Sequence, residues 1–258
     1  MATAAAGIGL IAALAHPAFA VAQEADAGPA TTAGGWTFKL TPYAWLAGLD
    51  GKVRTRSRLP AADVDASFSD IFDDTNFALM MLGEARRDRF GVILDVDYLD
   101  ISSEGSTPGD LFSGVKASSN VLIGTLGLAY RVLDRPKGLI DVVGGARLWS
   151  IDNELKLEAG RLNEVSTSRD QTWVDPIIGL RGGVDLSDDI YVSAYTDIGG
   201  FGAGSKFTWQ VLASVGYRFN DHLTAEVGYR YLSVDYDHDG FLWDVDLYGP
   251  VIGISYRF

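Results

Sequence analysis

The sequence predicts an all-β protein, a single antiparallel transmembrane β-barrel of about ten strands, with eight as the alternative count. Apolar and polar residues alternate with period two through most of the chain, which is typical of strands with two different environments on their faces. Short polar connections alternate with longer ones, and no segment beyond the N-terminus has the 18 consecutive apolar residues of a helical span. The last segment shows the pattern best, with one apolar phase: Tyr248, Pro250, Ile252, Ile254, Tyr256 and Phe258.

The N-terminus has the composition of a secretory signal. Met1 to Ala22 contains no Asp, Glu, Lys or Arg, and an apolar stretch is followed by two small-x-small sites ending at Ala20 and Ala22. The basic n-region is missing, but a membrane anchor would need about 20 apolar residues. We therefore expect a signal peptide over 1–22, a disordered leader over 23–35 and a barrel over 36–258. The predicted location is the outer membrane of a Gram-negative bacterium after cleavage.

The charge and the cysteine count narrow the possible functions. The formal net charge of −13 argues against nucleic-acid binding, which needs clustered Lys and Arg. With no cysteine, the chain has no disulfide framework, thiol nucleophile or cysteine metal site. We expect no cofactor.

Ten strand-like segments follow one another along the barrel region. They are expected at 36–53, 76–88, 90–102, 117–133, 138–152, 172–186, 189–199, 205–219, 222–235 and 243–258. The connections at 87–89, 133–137, 187–189 and 220–221 are short. The others are mostly longer, at 54–75, 103–116, 153–171, 199–204 and 236–242. Short periplasmic turns and long extracellular loops are typical of outer-membrane barrels.

The composition of the two strand phases indicates which face meets lipid. In 205–219 the apolar phase runs from Trp209 through Val211, Ala213 and Val215 to Tyr217, aliphatic in the middle and aromatic at its ends. Aromatic ends are typical of the two girdles of a membrane barrel. The opposite phase mixes charges of both signs with glycine. A soluble lipocalin-like barrel would bury the apolar phase instead, and we favour the membrane barrel.

Several stretches resemble a family of small proteobacterial outer-membrane β-barrel proteins, most of them uncharacterised. They are 43–48 (YAWLAG), 175–182 (DPIIGLRG), 197–202 (DIGGFG), 228–232 (GYRYL) and 249–258 (GPVIGISYRF). The resemblance spans nearly all of the barrel region and implies a single antiparallel barrel, without a shared catalytic or ligand motif. At the level of architecture the chain also resembles opacity-type surface proteins and porins. In such barrels the terminal aromatic residues, here Tyr256 and Phe258, are read by the barrel-assembly machinery.

Charged side chains in the polar phase are the first candidate site. They could line a narrow channel or bind a charged solute, but mixed signs in a barrel of this size favour an interior network of salt bridges. The set comprises Lys39, Glu84, Arg86, Asp95, Asp97, Arg131, Asp141, Arg147, Asp175, Arg181, Glu226 and Arg230.

Two weaker candidates lie in predicted external loops. Alternating carboxylates resemble the first half of a calcium loop, with candidate ligands Asp235, Asp237, Asp239 and Asp246, although an acidic hairpin loop is the commoner explanation of such a pattern. His238 stands between two of these aspartates, as in the extracellular carboxylate–histidine sites of omptin proteases, but no omptin motif accompanies it. The glycines between Asp197 and Gly204 predict a tight external turn.

These observations predict a non-enzymatic protein with a structural or surface role in the cell envelope. The alternative is a narrow porin-like channel for small solutes, and a surface hydrolase is the third possibility. The expected partners are outer-membrane lipid, lipopolysaccharide and the barrel-assembly machinery.

Overall fold

The computed structural model describes residues 35–55, 60–106 and 111–258. The predicted signal peptide and the leader up to residue 34 lie outside the described residues. The described residues form twelve strands and one short helix. The elements are β1 (Thr37–Trp45), β2 (Gly48–Arg54), β3 (Ala62–Ala66), α1 (Phe68–Asp73), β4 (Thr75–Arg87), β5 (Phe90–Gly105), β6 (Phe112–Arg135), β7 (Gly138–Ala159), β8 (Val165–Asp185), β9 (Ile190–Gly199), β10 (Phe207–Arg218), β11 (Leu223–His238) and β12 (Phe241–Arg257).

Ten of the strands close into an antiparallel barrel, which confirms the predicted fold class. β1 pairs with β4, each strand from β4 to β12 pairs with the next, and β12 returns to pair with β1. The closing register joins Leu40 to Tyr256 and Trp45 to Val251. Closure satisfies the backbone donors and acceptors of every barrel strand, as a structure surrounded by lipid requires.

The two ends of the barrel differ in their connections. At one end, called the turn end here, β4–β5, β6–β7, β8–β9 and β10–β11 are joined by short links. β1 begins at this end and β12 finishes there, where the Phe258 amide donates to the Phe38 carbonyl oxygen. The opposite end, called the loop end, carries β2, β3 and α1 and the connections β5–β6, β7–β8, β9–β10 and β11–β12.

The first predicted strand, 36–53, is divided into β1 and β2. Both pair with β12 in one continuous register, and between them the Leu46 amide donates to the Pro250 carbonyl oxygen. Beyond Pro42 the strand leaves β4, and β3 pairs with β2 instead. The predicted loop 54–75 therefore contains a strand and a helix, α1, which begins with a capping box between Ser67 and Asp70.

Other predicted loops are also largely strand, a correction to the expected boundaries. β5 and β6 approach each other to residues 105 and 112, where 103–116 was expected to be a loop. β7 and β8 shorten the predicted loop 153–171 to residues 160–164. At 236–242 the turn is only Asp239 and Gly240, both with positive φ, as in a type I′ hairpin. Backbone pairing in these strands continues beyond the part of the wall in which one face is apolar. The alternation of apolar and polar residues in the sequence therefore ends before the strands do.

An apolar belt surrounds the turn-end and middle parts of the wall. Its side chains point outward and are exposed, and examples are Leu126, Leu128, Val174, Ile178, Leu180, Val211, Val215, Val227, Ile252 and Ile254. Aromatic rings border it on both sides. Trp209 stacks on Tyr231, which stacks on Tyr248, on the loop side. On the turn side, Phe90 contacts Tyr130 and Tyr217 contacts Phe219. This arrangement is that of a membrane-spanning barrel surface.

The buried apolar core lies inside the barrel at the loop end. It includes Trp149, Ile151, Leu232, Val234, Phe241 and Val245, all almost inaccessible to solvent. Within the described part of the chain, no helix is long and apolar enough to cross a membrane.

Candidate functional site: the barrel lumen

Ion pairs between strands that are not neighbours show which face lines the lumen. Arg230 on β11 pairs with Asp97 on β5, Arg181 on β8 pairs with Glu84 on β4, and Lys39 on β1 pairs with Glu226 on β11. Side chains on the outside of a closed barrel cannot reach such partners. The charged residues of the polar phase therefore point inward.

A central network of side chains fills the middle of the lumen. The Tyr43 hydroxyl lies 2.7 Å from Asp95 Oδ1 and 2.6 Å from Asp97 Oδ1, and it accepts a hydrogen bond from Arg230 Nη1 at 3.0 Å. Arg230 Nε also donates to Gln210 Oε1 at 2.9 Å. The Arg230 guanidinium lies 4.4 Å from the ring of Trp45. One cation thus connects β1, β5, β10 and β11.

The same network continues to a fully buried ion pair. Arg147 Nη2 donates to Asp197 Oδ2 at 2.6 Å and Nη1 donates to Asp197 Oδ1 at 3.1 Å, and both side chains are 0% exposed. Arg147 Nε donates to the Thr125 hydroxyl at 3.2 Å. This bidentate geometry is the strongest form of an arginine–carboxylate contact. It also fixes the distance between β7 and β9.

A second group of charges lines the turn-end half of the lumen. Glu84 accepts from Arg86 Nε at 2.9 Å and from Arg181 Nη1 at 2.7 Å. Asp141 accepts from Arg131 Nε at 2.9 Å and also pairs with Arg86. We call these five residues the arginine wall.

The opposite side of the turn-end lumen is balanced in charge. Glu226 Oε1 accepts from Lys39 Nζ at 3.0 Å and from the Tyr191 hydroxyl at 2.6 Å. Near the mouth, Arg218 pairs with Asp185 and its guanidinium lies 4.5 Å from the ring of Tyr191.

Asp175 is the one member of the predicted charged set that pairs with no cation among the described residues. Its carboxylate accepts from the Ser205 amide and the Ser205 hydroxyl, both at 2.6 Å, and from Trp173 Nε1 at 3.3 Å. Ser205 belongs to the β9–β10 connection, which is a tight turn with positive φ at Gly200, Phe201 and Gly202. Asp175 therefore anchors this short hairpin against the inside of β8.

A cavity of about 490 Å³ occupies the turn-end half of the lumen. Its lining extends from Arg135, His222 and Arg257 at the mouth to Tyr43 and Arg230 at the floor. The arginine wall forms one side, with Glu84, Arg86, Arg131 and Arg181 in the lining. The cavity ends where the central network begins.

Beyond the central network, an aromatic plug fills the lumen at the loop end. We define it as Trp45, Trp149, Trp173, Tyr236, Phe241 and Trp243. Trp173 stacks on Trp149 with ring centroids 5.6 Å apart and on Tyr236 with centroids 3.9 Å apart. The indole N–H groups of Trp45, Trp149 and Trp243 are buried without a hydrogen-bond partner. The plug therefore fills the loop-end lumen with closely packed rings, while the indole N–H of Trp173 donates to the Ser205 hydroxyl at 2.9 Å.

The outside of the loop end is acidic. Asp246, Asp50 and Asp65 lie opposite one another on β12, β2 and β3, and Asp235 lies opposite Asp244 on β11 and β12. Partial burial, together with Asp235 and Asp246, raises the pKa of Asp244 above its usual value. Lys206 pairs with Asp235 on this face.

The candidate calcium ligands lie on this hairpin rather than in a loop. Asp235 and Asp237 contact Lys206, and Asp239 forms the turn. Asp246 faces Ser233 across the ladder, eleven positions along the chain from Asp235. Among the described residues, no group of three or more His, Asp or Glu side chains is arranged to hold a metal ion.

The two histidines of the barrel lie at opposite ends. His238 Nε2 is 3.4 Å from Asp239 Oδ2, and both side chains are largely exposed at the hairpin tip. The neighbouring Asp237 is engaged by Arg54 and Lys206. At the turn end, His222 Nδ1 contacts the Arg257 carbonyl oxygen at 2.8 Å, and its ring stacks on Tyr256.

The predicted assembly signal is on the outer surface of the closing strand. The rings of Tyr256 and Phe258 meet edge to face, with centroids 5.0 Å apart. About half of each side chain is exposed. They continue the turn-side aromatic border of the apolar belt.

The sequence analysis missed several polar members of the lumen. Tyr43, Asp197, Gln210 and Tyr191 complete the networks described above. A signal for two of them was available, because Tyr191 and Asp197 share one phase of β9 with Ser193. Asp197 was instead grouped with the glycine turn that follows it.

Comparison with known proteins identifies the fold and no closer relationship. No family model matches the chain, and no curated protein is significantly similar to it in sequence. Among solved structures, the outer-membrane protease OmpT of Escherichia coli is similar with a TM-score of 0.50 and 12% identity, over 86% of this chain and 97% of OmpT.

Two further bacterial barrels are similar at lower scores. The translocator domain of the autotransporter NalP from Neisseria meningitidis has a TM-score of 0.41 and 13% identity, over 86% of this chain and 88% of that one. Ail, the attachment invasion locus protein of Yersinia pestis, has a TM-score of 0.35 and 13% identity, over 87% and 99% of the two chains. The closed ten-stranded sheet and the similarity to OmpT show that the chain has the fold of a bacterial outer-membrane β-barrel.

Proposed function

We propose that this protein is a closed outer-membrane β-barrel with a non-enzymatic, structural or surface role in the cell envelope. The observation that carries the proposal is the aromatic plug. Trp149 is 0% exposed and Phe241 is 1% exposed at the loop end, where an open channel would need a water-filled passage. Below the plug, the buried Arg230–Asp97 pair crosses the lumen from β11 to β5.

The outer surface supports a membrane location and an orientation. The apolar belt with aromatic borders suits outer-membrane lipid, and the acidic loop end suits an aqueous exterior that contacts lipopolysaccharide. We place the turn end in the periplasm, because short turns face that side in such barrels. There Tyr256 and Phe258 would be read by the barrel-assembly machinery.

The barrel itself is tested by heat-modifiable gel mobility together with membrane fractionation. We expect a folded form in the outer-membrane fraction that changes mobility after boiling. A soluble periplasmic product would contradict the proposal.

A narrow channel is the second candidate, because the turn-end cavity reaches the middle of the lumen. Planar-bilayer recording separates the two functions. We expect no discrete openings from the wild type, since the central network and the plug both block the path. Openings whose ion selectivity changes with Asp95→Asn or Arg181→Gln would establish a channel instead.

We infer no enzymatic role from the exposed His238, because its aspartate neighbour at 237 is already held by cations. The test is peptide or lipid turnover by the purified protein. Turnover that disappears in His238→Ala would reverse this inference.

A further inference from the structure

At the loop end, β8 extends well beyond its neighbour β9 and keeps one edge without a strand partner. β7 pairs with β8 from Val165 onward, whereas β9 pairs with β8 only over 177–185. The β9–β10 connection contacts β8 just beyond this ladder, where the Gly200 amide donates to the Pro176 carbonyl oxygen. Further along, no described strand pairs with residues 165–172 on this side. We call these residues the β8 edge.

The partners of β8 show which main-chain groups point to the open side. The Asp185 amide donates to the Lys137 carbonyl oxygen on the β7 side, and the Pro176 carbonyl oxygen accepts on the β9 side. Since successive residues of a strand direct their N–H and C=O groups to opposite sides, the odd-numbered residues pair with β7. The open side carries the N–H and C=O groups of Ser166, Ser168, Asp170 and Thr172, all of them exposed residues.

An apolar ledge lies beside the β8 edge on the inner face. Val165 is opposite Leu157 on β7, and Leu155 is on the same face of β7. Leu155 is 43% exposed and Val165 is 52% exposed. The outward apolar residues of β8 end at Val174, so this level lies beyond the apolar belt. The ledge is therefore apolar area that faces water rather than lipid.

The outer face of the same edge is acidic. Asp170 is opposite Asp152 on β7, and Glu154 follows Asp152 on the same face. All three carboxylates are exposed. Further along, Lys156 is balanced by Glu164. The β8 edge thus combines a row of main-chain donors and acceptors with an apolar face on one side and a negative face on the other.

We propose that the β8 edge binds an extended polypeptide segment of another protein as an additional strand. Its apolar residues would cover the ledge, and its Lys or Arg residues would face Asp152 and Asp170. In such strand addition, main-chain hydrogen bonds provide affinity and alternate side chains provide specificity. A lipid or a small apolar molecule would cover the ledge without using the main-chain groups. The inference deepens the proposed surface role and rests on it, because the loop end must face the exterior for the partner to reach β8.

A second copy of the chain is a poorer partner for the same edge. Two barrels with the same orientation in one membrane would bring their β8 edges together as parallel strands. A two-fold axis along the membrane normal would then place the two copies of Asp170 side by side. Like charges on adjacent strands are destabilising, whereas a segment with basic residues removes this repulsion.

The first test is isothermal titration of the folded, purified barrel in detergent. The probe is a short synthetic peptide in which lysine and valine alternate, blocked at both termini. One control peptide has N-methylated main-chain amides, which keeps its charge and side chains but removes its donors, and another has glutamate in place of lysine. We expect saturable binding of the unmodified lysine–valine peptide alone.

Equal binding of the N-methylated peptide would reduce the interaction to charge attraction and overturn the proposal. So would the absence of saturable binding at millimolar concentrations. The barrel that is titrated is first shown to have heat-modifiable gel mobility. Failure to bind then counts against strand addition, whereas failure to form the membrane barrel counts against the proposed function.

Ser168→Pro removes one main-chain donor from the open side and leaves the ladder with β7, which uses the odd-numbered residues. Proline is tolerated at the edge of a sheet. We expect the affinity for the lysine–valine peptide to be about tenfold weaker. The matched control is Ser168→Ala, which keeps the donor and should bind as the wild type does. Equal affinities in the two variants would overturn the proposal.

Amide hydrogen exchange, followed by NMR, locates the peptide without any substitution. The amides of Ser168 and Asp170 should exchange more slowly when the lysine–valine peptide is bound. The control is β3, which pairs with β2 alone among the described strands and should show no change. Protection of β3 instead of β8 would overturn the proposal. Protection of β8 that increases with barrel concentration, without peptide, would assign the edge to a second copy and also overturn it.

Discussion

The same strands form the membrane-spanning part of the wall and its loop-end extension, by which we mean the part of each strand beyond the apolar belt, such as residues 232–238 of β11. In the spanning part the apolar face points outward, and in the extension it points inward. Along β11, the inward residues change from Glu226 and Arg230 to Leu232 and Val234, while the outward residues change from Val227 to acidic positions. The ladder with β12 continues through this point without a register shift. The backbone is constant, and only the surroundings change from lipid to water. The difference shows that the solvent outside each part of the wall determines which face is apolar.

The two regions also close the lumen by different physical means. In the spanning part, the lumen is filled by ion pairs such as Arg147–Asp197, whose value depends on both partners being present. In the extension, closure depends on aromatic packing, which needs no partner charge. Mutations that remove one group should therefore affect the two regions differently.

The largest expected effect is the loss of the buried cation. Arg147→Met leaves Asp197 buried without its partner and should lower the free energy of unfolding by about 3–5 kcal/mol. Equilibrium urea unfolding of the barrel in lipid vesicles measures it. Arg54→Met, at the exposed pair with Asp237, should cost less than about 1 kcal/mol. Similar losses in the two variants would contradict the difference between the regions.

The next effect tests the apolar interior of the extension. Leu232→Ala creates a cavity next to the plug and should cost about 2–5 kcal/mol in the same unfolding assay. Its neighbour Ser233 points outward, and Ser233→Ala should change stability by no more than about 0.5 kcal/mol. A Leu232→Ala loss as small as that of Ser233→Ala would show that the loop-end core does not stabilise the barrel.

A charge placed on the outer face should distinguish lipid from water directly. Val227 and Ser233 are on the same face of β11, one in the apolar belt and one in the extension. Val227→Lys should cost about 2–4 kcal/mol because it puts a charge against hydrocarbon. Ser233→Lys should stay within about 0.5 kcal/mol. The costs are measured by unfolding and by the heat-modifiable fraction. Equal costs would contradict a boundary between lipid and water that lies between Val227 and Ser233.

The smallest effect concerns the acidic outer face. The pKa of Asp244 is raised in the folded state, which means that the folded barrel favours the protonated carboxyl over the ionised one. The stability that the protonated carboxyl provides is lost as the pH rises through this raised pKa. Asp244→Asn should therefore stabilise the barrel at pH 7, by no more than about 0.5 kcal/mol. The gain should vanish below a pH of about 3.9, the ordinary pKa of Asp. Thermal unfolding across that pH range measures it, and a gain that persists in acid would exclude the electrostatic cause.

Most of the barrel could be predicted from the sequence, because lipid on one side imposes strict alternation. Phe90, Val92 and Leu94 identify β5 and its outward face without any structure. The extent of the strands could not be predicted, because residues such as Ser118 and Ser119 pair as strand with polar surroundings on both faces. Backbone pairing there leaves no trace in the side-chain pattern.

The types of residue that line the lumen could be predicted from the sequence, but the ion pairs that they form could not. The charged phase indicated Arg147 and Arg230, whereas pairing across the lumen depends on barrel closure and strand register. The sequence of β12 does contain a sign of the plug. Its apolar residues stand at odd positions up to Leu247 and at even positions from Tyr248 onward. That change of phase marks the upper edge of the lipid-facing belt.

The tryptophans of the plug give the protein a built-in optical probe. The chain has six tryptophans, and Trp45, Trp149, Trp173 and Trp243 belong to the plug. Indole emission depends on the polarity around the ring, and three of these indoles have a buried nitrogen without a hydrogen-bond acceptor. Intrinsic fluorescence therefore reports mainly on the dryness of the loop-end interior. A red shift without loss of β-structure would reveal water entering the barrel before it unfolds.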